Sequence, residues 1–177
     1  AAMEEAYGER PLWVAAGEYA ITPVSHVFYP NRVLREAGLL AVRETDGGEQ
    51  IDFEASRAWA MVDHQMAHVF VADGDEQTIR RTAEVLRGVK EVDEVLVGTE
   101  RTRYAMDHPR SGEVVVTCKP EAWAAYYYWL DDAKAPAFAR QVDIHRKPGY
   151  DPFVLFFAAA TESIPLDASL VRGSHGA

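Results

Sequence analysis

A chain of 177 residues with 48% hydrophobic and 26% charged residues has the length and balance of one globular domain with a real core. Its formal net charge of −10 excludes a nucleic-acid partner, which demands a basic face, and no apolar run reaches the roughly 18 residues of a membrane span. A small phosphorylated substrate stays compatible with that charge, because bound metal ions can supply local positive charge.

Pro11 to Ala16 is a short apolar run ending at Gly17 and reads as a buried parallel strand. Asn31 is placed to N-cap a helix through Val33, Leu34 and Ala37, with Gly38 near its end. Asp46-Gly47-Gly48 is a turn. Two apolar strands follow, Arg57 to Val62 and Ala67 to Ala72. Asp73-Gly74-Asp75 then caps a helix from Glu76 to Leu86, with Ile79, Ala83 and Leu86 on one face and Gly88 at its stop. Arg80, Arg81, Arg87 and Lys90 form its exposed side.

Val92 to Val97 and Glu113 to Cys118 are further strands. Pro120 opens a short helix bearing the rings of Trp123, Tyr126, Tyr127, Tyr128 and Trp129, a core wedge rather than a base-stacking platform. Asp131-Asp132 reads as a solvated turn or a metal contact. Beyond Tyr150 the chain is irregular. The alternation predicts an α/β or α+β sheet domain with helices packed on the sheet. The single cysteine, Cys118, has no disulfide partner in the chain and reads as a buried small hydrophobe. With no secretory signal at the acidic start, a cytoplasmic location is expected.

Chemistry-bearing residues concentrate in the histidines: His26, His64, His68, His108, His145 and His175. Several stand beside Asp or Ser, as in Asp63-His64, Asp107-His108 and Ser174-His175. Imidazole is the commonest metal ligand and a neighbouring carboxylate fixes its tautomer. His64 and His68, four apart, share a face in either regular conformation. Each of these histidines, taken singly, also fits a turn cap or a satisfied polar pocket.

The order Ser111-Gly112-Glu113-Val114-Val115-Val116, then Asp143-Ile144-His145-Arg146-Lys147-Pro148-Gly149-Tyr150-Asp151-Pro152, then Gly173-Ser174-His175-Gly176 resembles the C-terminal half of the alkaline phosphatase superfamily. Within it, the resemblance is to the type I phosphodiesterase/nucleotide pyrophosphatase branch that includes phosphonoacetate hydrolase. It implies a three-layer α/β/α sheet domain, two divalent metal ions, usually zinc, and a small phosphorylated or nucleotide-like substrate. His175 matches the element that binds one metal, and His145 is a second candidate ligand, with Lys147 as a substrate contact. The superfamily's Asp-His-Gly element is expected just after the first strand. There Gly17-Glu18-Tyr19 stands, leaving Glu18 as a carboxylate ligand and Tyr19 a poor one.

No Thr or Ser has the helix-opening context of the superfamily's nucleophile: Thr22 precedes Pro23, and Thr99 and Thr102 lie in a charged loop. Residues 1–177 are therefore expected to be the C-terminal portion of a hydrolase domain, inactive alone and needing the N-terminal half of the same protein. The competing expectation is a non-catalytic α/β binding module with structural histidines. Within enzymes, the alternative is carbon–phosphorus hydrolysis of a phosphonate.

Overall fold

A computed structural model describes residues 2–8, 12–17, 20–141 and 163–176. A short helix, α1 (Ala2–Tyr7), is followed by residues 12–17, which take no regular structure. Leu12 is 90% and Val14 79% exposed, so the buried strand expected over Pro11 to Ala16 is not formed in the described part. Apolar composition yields a strand only where a neighbour supplies the ladder, and none among the described residues pairs with this run.

Next come β1 (Thr22–Pro23), β2 (His26–Phe28) and α2 (Pro30–Glu36). Asn31 does not cap α2, which begins one residue earlier with Tyr29 at the N-cap position. Its side chain is buried instead, donating to the carbonyl of Ala60 at 2.9 Å and accepting from the Ala60 N–H at 2.7 Å. The amide thereby acts as one residue of a missing strand. The hairpin β3 (Val42–Thr45) and β4 (Gly48–Ile51) turns at Asp46-Gly47, as the sequence predicts.

The central sheet is built from β5 (Ala58–Asp63), β6 (Met66–Val71), β7 (Val92–Val97) and β8 (Val114–Cys118), in the order β5-β6-β8-β7 and antiparallel throughout. Between β6 and β7 runs α3 (Glu76–Arg87), whose N-cap Asp75 accepts from the Thr78 N–H at 2.8 Å. Alternation along the strands sends Ala58, Ala60, Ala67, Val69, Val71, Val114 and Val116 to one face, where they form a core with Leu34 of α2 and Ala83 and Leu86 of α3. The fold is thus mixed α/β, with helices packed on a sheet, as expected. Cys118 lies in that core, 2% exposed, and burial pushes its thiol up to about 12, which leaves it unreactive at neutral pH.

Both edges of this sheet are occupied by side chains. On β5 Asn31 meets Ala60, and on β7 the Val95 carbonyl accepts from Arg87 while the Val97 N–H donates to Glu100. Such occupation stops strand addition.

Pro120 does not open a helix. Residues Ala122–Ala124 form β9, parallel to β2, and the Glu121 carbonyl accepts from the N–H groups of Ser25 and His26. The aromatic block then runs irregularly into the core: Trp129 is fully buried and Tyr128 is 4% exposed, whereas Tyr126 is 39% exposed. Asp132 accepts from the Trp129 indole N–H at 2.9 Å, so its carboxylate serves the core. Glu49 is buried against Arg35, with two hydrogen bonds of 2.6 and 3.0 Å. Finally β10 (Gly173–Ser174) pairs antiparallel with β1.

Candidate functional site

A tight hairpin and a strand pairing remote in sequence meet at the candidate site. In the β5–β6 hairpin, Asp63 faces Met66, leaving His64-Gln65 as a two-residue loop. His64 takes a left-handed conformation there, with φ 56°, as the first loop residue of such tight hairpins often must. Its carbonyl accepts from the Ala124 N–H of β9 at 2.7 Å. In the second pairing, Thr22 opposes Ser174, which lays the next residue, His175, over the hairpin loop. The Gln65 N–H donates to the His175 carbonyl at 3.0 Å.

The outcome is that the rings of His64 and His175 lie 3.9 Å apart between centroids, inclined by 38°. The Asp63 carboxylate is 3.8 Å from Nε2 of His64. His64 is half exposed and His175 partly buried, so the imidazoles face a region solvent can reach. Imidazole nitrogens are donors of the kind taken by zinc or another borderline divalent ion. Among the described residues no group of three or more His, Cys, Asp or Glu side chains converges. The described residues bring two imidazoles together, with the Asp63 carboxylate beside one of them.

Of the residues picked out by sequence, His175 is the one the structure describes in this cluster; Glu18, His145 and Lys147 lie outside the described residues. In the sequence His64 is one of several histidines beside an aspartate. The signal that singles it out is the Asp-His dipeptide at the end of an apolar strand, the element sought at residues 17–19. Its first two residues stand at Asp63-His64, with Gln65 in place of the glycine.

His68 does not join His64. On β6 it opposes Met61 and Val115, and its Nδ1 accepts from the Gly112 N–H at 3.3 Å. Burial holds its pKa below the ordinary histidine value, opposed by Asp63 and reinforced by Arg101. Above about pH 6.5 both the folded and unfolded chains carry it neutral. As pH falls below that, the unfolded chain takes the proton first, so stability declines until the folded pKa is passed. Urea unfolding at pH 7.5 and pH 5.5 is expected to show a smaller acid loss in His68→Asn, which keeps an acceptor for Gly112 but cannot titrate. Equal losses in the two proteins would remove His68 from the account. His108 braces its own turn, accepting from the Arg110 N–H at 3.1 Å, and His26 is exposed on β2.

The described residues thus combine a mixed α/β sheet with two imidazoles beside a carboxylate. The chain belongs to the type I phosphodiesterase / nucleotide pyrophosphatase family, whose model matches residues 5–151. Asp63 and His64 fall inside the matched span and His175 beyond it. Two crystal structures of phosphonoacetate hydrolase from Sinorhizobium meliloti 1021 are similar. The one in complex with phosphonoformate has 18% identity and a TM-score of 0.42, over 62% of this chain and 27% of that one. The one in complex with phosphonoacetate has 16% identity and a TM-score of 0.42, over 67% and 28%. This chain thus corresponds to less than a third of their length. No curated protein matches it. Among the described residues no helix is long and apolar enough to cross a membrane.

Proposed function

We propose that this chain supplies part of the metal centre of a divalent-metal hydrolase of phosphoryl esters, with His64 and His175 as ligands to one ion and the Asp63 carboxylate beside His64. The 3.9 Å approach of the two imidazoles, from positions 111 residues apart (175 − 64), is the observation that carries the reading. A core histidine pair would be dry, whereas His64 keeps half its surface in solvent. In the same proposal Glu18 and His145 complete the two-metal set and Lys147 contacts the substrate's anionic group.

When bound, such an ion polarises a phosphoryl oxygen as a Lewis acid. The chain's own part is to hold the two imidazoles 3.9 Å apart, with the Asp63 carboxylate biasing the charge beside His64. Thr22 is not the nucleophile: its single hydroxyl proton is directed to carbonyl oxygens, of the Gln65 side chain at 3.1 Å and of Ser174 at 3.2 Å. The attacking Thr or Ser comes from the N-terminal half of the protein, and a small phosphorylated or nucleotide-like ester is the substrate.

Equilibrium dialysis against zinc, run on the purified chain beside His175→Ala, tests this. The unaltered chain is expected to retain zinc and the variant to lose it. Equal retention, or none in either, would return the histidines to a structural role. On bis-p-nitrophenyl phosphate with added zinc, no turnover by the chain alone is expected.

A further inference from the structure

Next to His64 in the hairpin loop stands a buried side chain whose hydrogen bonds reach both loops that carry the imidazoles. Gln65 is 1% exposed. Every hydrogen-bonding group it owns is used. Its N–H donates to the His175 carbonyl and its carbonyl accepts from the Cys118 N–H at 2.8 Å. Its side-chain nitrogen donates to the carbonyls of Pro120 at 3.0 Å and Ala122 at 2.9 Å. Its side-chain oxygen accepts from the Thr22 hydroxyl, which also faces the Ser174 carbonyl.

This network has a direction. Residue 65 follows His64 in the hairpin loop, and Ser174 precedes His175. Thr22 bridges the two: one hydroxyl hydrogen is shared between an acceptor adjoining one imidazole-bearing residue and an acceptor adjoining the other. Pro120 and Ala122 anchor the amide from a third segment, so the Gln65 oxygen cannot swing away without leaving two buried carbonyls unpaired, which is costly. The β1–β10 ladder is only two residues long, too short to fix the approach of His175 by itself.

We propose that Gln65 and Thr22 are a positioning pair that sets the separation and inclination of the His64 and His175 rings. The functional meaning of that separation rests on the metal reading above; the separation itself does not. Neither residue is a ligand. Both act through the main chain on either side of one, in the way outer partners orient metal-binding histidines.

The test uses the full chain labelled at histidine, with metal stripped by a chelator. In the unaltered protein, ring-to-ring nuclear Overhauser effects between His64 and His175 are expected. Thr22→Val, which keeps shape and removes the hydroxyl, is expected to lose them, and so is Gln65→Met, which keeps length and removes the amide. Thr22→Ser is expected to restore them. A purely structural role would shift the thermal midpoint without this dependence on the hydroxyl. If the cross-peaks persist unchanged in both Thr22→Val and Gln65→Met, the proposal is overturned. Because Gln65→Met exposes two carbonyls to a dry pocket and can unfold, Thr22→Val decides alone where it does. Zinc dialysis on the same proteins is expected to show about ten-fold weaker binding for Thr22→Val, the size of an outer-partner effect, and recovery in Thr22→Ser. Cross-peaks that follow the hydroxyl in a chain that binds no zinc would uphold the positioning pair and sink only the metal reading.

Discussion

Replacing His64 by asparagine is expected to weaken zinc binding by about 100-fold or more, exceeding the 10–100-fold range of outer-partner losses. The choice of asparagine matters. His64 sits at φ 56°, a left-handed backbone that costs most residues about 1–2 kcal/mol and that asparagine tolerates. His64→Ala would mix that strain with the loss of a nitrogen ligand, and a fall in affinity could then be blamed on a loosened loop. With asparagine the hairpin stays closed, the Gln65 and Ala124 contacts of the loop backbone remain, and the affinity change reports the imidazole. Calorimetric zinc titration with a parallel melting curve makes the comparison. Undiminished affinity in His64→Asn would remove His64 from the ligand set, whatever His175→Ala does.

The second large effect is structural. Gly48→Ala is expected to destabilise the fold by more than about 3 kcal/mol, in the tail reserved for backbone clashes and special conformations. Two faults coincide there. Gly48 has φ 95°, and a Cβ built on it would stand 2.4 Å from the Ala135 carbonyl oxygen. Main-chain atoms cannot step aside as a flexible side chain can. The Gly47 carbonyl also accepts from the Ala137 N–H at 2.7 Å, so displacing the hairpin would break the seam that joins it to residues 135–137. Urea unfolding at neutral pH measures the loss. A change below about 1 kcal/mol, the middle of ordinary point substitutions, would show that this seam is soft.

Where local chemistry decided conformation, the sequence was readable. Asp75 ahead of Glu76 announced α3, and Asp46-Gly47 announced the β3–β4 turn, because caps and turns depend on a few adjacent residues. Where partners decided it, reading failed. Pro11 to Ala16 has the composition of a buried strand but no ladder among the described residues. Ala122–Ala124 follows a proline that favours helix entry, and was drawn into β9 by parallel pairing with β2. Asn31 looked like a cap because of its place before an apolar run, yet its amide found a better use on the edge of β5. The candidate site divides the same way. His175 stands out in the sequence through the family resemblance of Gly173-Ser174-His175-Gly176, while its approach to His64 depends on the pairing of Thr22 with Ser174, which no local pattern reveals.

The Asn31 amide on Ala60 also bears on how the protein behaves at high concentration. A bare outer strand is a template on which a second molecule can lay its own backbone, and such docking ends in precipitation rather than a defined complex. By answering both the donor and the acceptor of Ala60 from within, a side chain that never reaches the surface removes one docking point for a second backbone from that edge.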